Sequence, residues 1–270
     1  MDAGALHVVQ RGTGAPAVVF LHYFAGSSRS WAPVIDRLSP AHRCIAPDLR
    51  GFGRSPSPPP DGWTVDAAAD DVVALIKAEG VRDYVLVGHS MGGKIALNLA
   101  ARRPAGLGGL VLVAPSPPTP EPMEAAARER LLHSHGDRGA AEETVRQIVM
   151  RALTPETFER CVDDQLASAP GAWLWWLERG SREDLSSRVG RLLLPALAIA
   201  SADDPVLPAS VAKAEVMPHL AEARLATIDG AGHLMPLEAP DEVAELIGSF
   251  VRSIQARSTD RPASAWRKLL

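Results

Sequence analysis

The segment Gly88-His89-Ser90-Met91-Gly92 places a serine between two glycines where a β-strand pattern gives way to a helical one, and few backbones satisfy that demand. Upstream, Asp83-Tyr84-Val85-Leu86-Val87 reads as a short buried strand. Downstream, Ile95, Ala96, Leu99 and Ala100 recur at helical spacing between Gly93 and Arg102. A serine on so tight a turn takes a strained conformation that leaves no room for a Cβ two residues to either side, which is where Gly88 and Gly92 stand. The turn lifts the hydroxyl clear of the sheet, and the free N–H groups of the following helix aim at any negative charge that develops there. This is a nucleophile elbow.

A serine hydroxyl is a weak nucleophile at neutral pH, so the elbow predicts a histidine base and an orienting acid, in the chain order serine, acid, histidine. Among eight histidines, His7 and His42 precede strands, and His133 and His135 lie in a polar helical region. His233 differs. It sits in Asp229-Gly230-Ala231-Gly232-His233-Leu234-Met235-Pro236, a glycine-rich loop between the strand-like 223–228 and a long C-terminal helical pattern, where an imidazole can swing over the sheet. The acid is expected after the apolar run 195–200, in Ser201-Ala202-Asp203-Asp204-Pro205-Val206-Leu207-Pro208, where two adjacent aspartates compete.

These stretches resemble the α/β-hydrolase family, in particular its capped small-molecule esterases and lactonases, over roughly residues 5–117 and 191–254. The family's acid loop, Gly-x-x-Asp-x-Val-x-Pro, matches onto Asp204, with Ser201 in place of the glycine and Asp203 as the alternative acid. Val18 to Ser28 is similar to its His-Gly-x-x-Gly loop, which implies an oxyanion hole made by the backbone N–H groups of Phe24 and Met91. Tyr23 replaces a glycine there, and its phenol is expected either to enter the pocket or to pack under a cap. Asp48 to Ser55 matches a loop that is structural in the family, and no chemistry is assigned to it. A serine at position 90 argues against dehalogenase and epoxide hydrolase relatives, which use an aspartate nucleophile.

Strand patterns near 5–10, 17–21, 43–47, 83–87, 109–114, 195–200 and 223–228 alternate with helical ones near 30–38, 66–79, 91–102, 209–217 and 239–254. Such alternation predicts an α/β fold, a mostly parallel central sheet flanked by helices, with active groups at the carboxyl ends of its strands. The pattern breaks after the proline-rich 115–120, and only helical stretches follow to about 190. The expected organisation is an α/β-hydrolase core over 1–117 and 191–256, an inserted helical cap over 118–190 and a C-terminal tail over 257–270. Within the cap, Trp173, Trp175 and Trp176 are spaced too closely to share one helix face, so at least one is expected to leave the cap's own core and line the substrate cavity or meet solvent.

A net charge of −4 and the lack of a basic stripe give no electrostatic case for nucleic acid. Cys44 and Cys161 make neither a disulfide framework nor a metal cluster, and no cofactor or metal is expected. The first residues lack a basic start and an export-length apolar run, and the longest apolar stretch, 192–200, is too short to span a bilayer; the expectation is a cytoplasmic enzyme. Its chemistry would be acyl transfer to water from a small carboxylic ester or lactone, through an acyl-enzyme on Ser90 with His233 as base and Asp204 as orienting acid. The alternatives are a cofactor-free perhydrolase or haloperoxidase, a carbon–carbon bond hydrolase on the same triad, and a small-molecule receptor with slow turnover.

Overall fold

The computed structural model describes residues 6–259. The chain runs β1 (Val8–Arg11), β2 (Ala17–Leu21), α1 (Ala32–Leu38), β3 (Cys44–Pro47), α2 (Val65–Ala78), β4 (Tyr84–His89), α3 (Met91–Ala101) and β5 (Leu107–Val113). Five helices follow, α4 (Ala125–His133), α5 (Arg138–Ile148), α6 (Pro155–Leu166), α7 (Pro170–Glu178) and α8 (Ser186–Val189). The core then resumes with β6 (Leu192–Ala200), α9 (Ala209–Val211), β7 (Leu220–Thr227), α10 (Met235–Glu238) and α11 (Pro240–Thr259).

Seven strands form one sheet in the order β1-β3-β2-β4-β5-β6-β7, antiparallel at β1 and parallel elsewhere. Strand side chains alternate between two apolar layers, as the period of two requires. Val19, Leu21, Leu86, Leu110 and Leu112 pack under α2 and α3 on one face, whereas Val18, Phe20, Val87, Val111 and Val113 pack under α1 and α11 on the other. The helix expected over 209–217 is present as one helical run of changing pitch: α9 widens over 212–216 and tightens into a last turn at Met217–His219 before the chain enters β7. Of the expected tail 257–270, the backbone to Thr259 continues α11, and the rest lies outside the described residues. No helix among the described residues is long and apolar enough to cross a membrane.

The inserted helices are bonded to the core at several points. Asp164 of α6 accepts from Ser27 Oγ at 2.8 Å and from Arg29 Nε at 3.1 Å, both on the loop after β2. At the base of the insertion, the Leu185 N–H donates to the Pro118 carbonyl and the Glu121 N–H to the Ser181 carbonyl, each at 2.7 Å, so its outgoing and returning strands lie side by side.

Candidate active site

Strand order reverses direction between β2 and β4, because β2 leads on to β3 on one side while β4 leads on to β5 on the other. Loops leaving the two strands diverge, and the crevice between them is where an open α/β sheet collects ligands. Ser90 stands at its floor. With φ 51° and ψ −116° it has the strained geometry expected of the elbow, and it precedes α3 directly. A Cβ on Gly88 would come within 2.4 Å of the Gly92 carbonyl oxygen, and one on Gly92 within 2.5 Å of the Leu21 carbonyl oxygen. Both glycines are therefore required by close backbone approach. Of four non-glycine residues with positive φ among the described residues, Ala25 lies in the loop after β2, Ser90 in the elbow and Ala114 at the end of β5, which gathers backbone strain around the crevice.

The loop after β7 brings His233 to this serine. The Ser90 hydroxyl lies 2.9 Å from His233 Nε2, and His233 Nδ1 lies 2.9 Å from Asp204 Oδ2. With Nδ1–H donating to the carboxylate, Nε2 is left as an acceptor for the serine proton. The other Asp204 oxygen, Oδ1, accepts from the Val206 and Leu207 N–H groups at 2.8 and 3.1 Å, so one oxygen holds the loop and the other holds the imidazole. Burial works against the His233 cation, but the charge and hydrogen bond of Asp204 outweigh it and lift the pKa above the ordinary value of 6.5. Burial likewise opposes ionisation of Asp204, yet His233 and the two loop amides hold it below the usual carboxylate range. Asp203 points elsewhere: its Oδ2 accepts from the Gly230 N–H at 2.8 Å.

Across the crevice, no backbone carbonyl among the described residues takes the Phe24 N–H, and Met91 is the first residue of α3, whose opening N–H groups have no partner in the helix. His22 shapes that loop from beneath. Its Nε2 accepts from the Leu49 N–H at 2.9 Å, which assigns the proton to Nδ1, and Nδ1–H donates to the Tyr23 carbonyl at 2.7 Å. The Tyr23 ring packs 5.2 Å from His89 and reaches toward Cys161 of α6; burial, with Cys161 and Asp164 nearby, raises its phenol pKa well above the ordinary value. Tyr23 thus packs beneath the inserted helices while one side of it meets the cavity.

A cavity of about 110 Å³ opens over Ser90 and His233, walled by Phe24, Met123, Trp173 and Trp176 among others. Trp173 lies 4.8 Å from the Phe24 ring and donates its indole N–H to the Leu131 carbonyl at 2.8 Å, so its polar edge is satisfied within the insertion while its face is free for the cavity. Trp175 is not in this wall. Its ring stacks near Trp63 of the core, 6.4 Å away, and helical geometry turns it from the cavity that Trp173 and Trp176 line.

Three further residues complete the surroundings without a motif that singles them out. His89 donates from Nε2 to the His233 carbonyl at 2.7 Å, and burial beside His233 pushes its pKa down to about 3, so it is a neutral strut. Glu238 accepts from the N–H groups of Met150, Arg151 and Gly232 at 2.8 Å and of Leu234 at 2.9 Å, bracketing His233, whose own N–H donates to the Ile148 carbonyl at 2.7 Å. Glu121, just beyond the proline-rich opening of the insertion, lines the cavity wall. Nothing local in the sequence marks Glu238 or Glu121.

Known proteins resemble this chain over most of their length. Lipase LipV of Mycobacterium tuberculosis is 30% identical over 261 residues, covering 90% of this chain and 97% of that protein. RutD of Variovorax paradoxus, provisionally named a carbamate hydrolase, is 34% identical over 200 residues, 71% of this chain and 75% of that protein. The structure of a thermophilic esterase from Thermogutta terrifontis superposes with a TM-score of 0.79 at 28% identity, covering 92% of this chain and 93% of that one. The model of the alpha/beta hydrolase family matches residues 18–246. Because that match begins in β2 and ends within α11, taking in the elbow, both loops that meet it and the inserted helices between, the chain belongs to the α/β-hydrolase family.

Proposed function

We propose that the protein is a serine hydrolase of small carboxylic esters or lactones, acting through an acyl-enzyme. The observation that carries this reading is the unbroken hydrogen-bond chain from Ser90 through His233 to Asp204, with both links at 2.9 Å, at the floor of a covered cavity. In the first half-reaction Ser90 Oγ attacks the carbonyl carbon as His233 Nε2 takes the hydroxyl proton. The carbonyl oxygen becomes an oxyanion facing the Phe24 and Met91 N–H groups, and Asp204 stabilises the imidazolium. Collapse of the tetrahedral intermediate breaks the bond to the leaving oxygen, which receives the proton from His233. Water, deprotonated by the same imidazole, then attacks the acyl carbon and releases the acid with Ser90 restored. The inserted helices act as a cap over this chemistry.

The names of the relatives support hydrolysis in general, and RutD extends the candidate substrates to carbamates, whose cleavage uses the same attack on a carbonyl. The test is a panel of esters, lactones and carbamates of graded acyl length, with and without hydrogen peroxide. Steady release of acid without peroxide is expected. Peracid formation or halogenation exceeding hydrolysis would replace the reading with a perhydrolase, and ligand-induced stabilisation with negligible turnover would replace it with a receptor.

Glu238→Ala leaves the amides of Met150, Arg151, Gly232 and Leu234 without their carboxylate, so a stability loss of roughly 2–4 kcal/mol is expected, with kcat falling about 10- to 100-fold and KM little changed. Thermal melts together with separate kcat and KM values check it; unchanged kcat in a folded variant rules out a positioning role. Trp173→Ala and Trp176→Ala are expected to change the kcat/KM ratio between short and long acyl esters by about tenfold, roughly 1.4 kcal/mol of differential binding, whereas Trp175→Ala lowers the melting temperature and leaves the ratio flat.

A further inference from the structure

Glu121 stands where two spaces meet. The inner cavity of about 110 Å³ holds Ser90 and His233, and an outer cleft of about 640 Å³ opens beside it between α4 and α5. Glu121, Met123, Leu131, Thr144, Ile148 and Val206 belong to both walls, so anything reaching Ser90 from that cleft passes Glu121. It is the one acid among the described residues of the inner wall. The residue is only 8% exposed, and its Oε2 is buried without a hydrogen bond of normal geometry from any described residue. The Ser116 hydroxyl lies near the carboxyl, yet it too is buried without a bond of normal geometry. A second wall residue repeats the pattern, since Gln165 is 7% exposed and its Nε2 is also unpartnered.

Buried polar atoms are nearly always hydrogen-bonded, and two of the six exceptions among the described residues belong to side chains of this one cavity wall over the nucleophile. The charge around Glu121 selects among possible donors. Burial raises the pKa of its carboxyl above the ordinary value, while the Ser116 hydroxyl and the charges of His233, Lys94 and Arg128 oppose that shift, with the Lys94 ammonium held on the Thr119 and Ser181 carbonyls at 3.0 and 3.4 Å. A carboxyl already flanked by two cations has little call for a third. It retains an acceptor oxygen whether ionised or protonated.

We propose that Glu121 is a specificity-determining residue whose carboxyl accepts a hydrogen bond from a neutral hydroxyl or carboxamide N–H on the substrate. The site thereby prefers polar-substituted small esters to alkyl esters of the same size. This deepens the acyl-transfer reading and rests on it. An alkyl isostere would leave the Glu121 carboxyl unpaired, which is the arrangement by which a polar site rejects an apolar analogue far more strongly than an apolar pocket rejects a missing methylene.

Matched pairs differing by hydroxyl against methyl test this on both sides of the ester: p-nitrophenyl 3-hydroxypropanoate against butanoate, and 2-hydroxyethyl acetate against propyl acetate. For at least one pair the wild-type kcat/KM is expected to favour the hydroxyl member by about tenfold or more. Glu121→Met should bring that ratio close to unity, and Glu121→Gln, which keeps an acceptor oxygen, should retain most of it. A wild-type ratio near unity for both pairs overturns the proposal without any variant. So does a ratio that is unchanged in a folded Glu121→Met protein, or a preference for the p-nitrophenyl ester of β-alanine, whose ammonium replaces the hydroxyl. Calorimetric binding of the same pairs to Ser90→Ala and Ser90→Ala/Glu121→Met separates the two readings. Hydroxyl-selective binding lost with Glu121, in a wild type that cleaves no ester, would sink the hydrolase reading alone; active hydrolysis with flat ratios would sink the Glu121 proposal alone.

Discussion

Replacing Ser90 by alanine is expected to lower kcat for ester hydrolysis by on the order of 10⁵- to 10⁶-fold, because no other group is placed to form the acyl-enzyme and loss of a triad nucleophile removes the catalytic unit as a whole. The fold should be indifferent. Alanine retains the Cβ and must adopt the same φ of 51°, and the bonds anchoring the elbow come from the main chain: the Ser90 N–H donates to the Val113 carbonyl at 3.0 Å, and the Ser90 carbonyl accepts from Gly93 at 2.8 Å and Ser116 at 3.0 Å. An unchanged melting temperature with lost turnover and lost labelling by a fluorophosphonate is the expected result. Near wild-type turnover in a preparation free of host esterase would remove Ser90 from the mechanism.

Asp204→Asn is expected to cost about 10⁴-fold in kcat, and the reason lies in the tautomer. In the native loop Oδ1 accepts from Val206 and Leu207, so an asparagine keeps its oxygen on those amides and turns its NH₂ toward His233. The imidazole must then accept at Nδ1 and carry its proton on Nε2, where it can no longer take one from Ser90. Asp203→Asn should leave kcat nearly unchanged, since an amide oxygen still serves the Gly230 N–H; the reverse ranking in folded proteins would move the acid to Asp203. The pH profile gives an independent check. His233 must be neutral to act as base, and its pKa is raised, so wild-type kcat/KM should be lost as pH falls through a value above 6.5. Removing the charge of Asp204 takes away what favours the imidazolium, so the residual activity of Asp204→Asn should hold to lower pH.

The parts legible in the sequence were those set by local rules. Short continuous apolar runs marked the strands, and the α/β alternation implied the sheet. The elbow glycines were legible because only their size permits the backbone approach found at Gly88 and Gly92. The 209–217 pattern likewise marked a helical run, whereas its change of pitch, from α9 through the wide turn at 212–216 to the tight turn at Met217–His219, was not written in the apolar spacing.

Sequence by itself also narrowed the acid to one turn, but two adjacent aspartates have the same propensity and charge, and only the approach of the β7 loop to the end of β6 put the imidazole on Asp204 and the Gly230 N–H on Asp203. The same holds for the tryptophans. Their spacing required that they diverge, whereas the packing of α7 against Phe24 and Trp63 determined which of them face the cavity. Glu238 and Glu121 depended wholly on tertiary structure: one carboxylate collects amides from segments more than 80 residues apart, and the other is buried only because the insertion folds back over the elbow. Short-range sterics and periodicity are written in neighbouring residues, so a sequence determines them directly. Which polar atoms end up buried, paired or left open to a ligand depends on contacts between distant segments, and those exist only once the chain has folded.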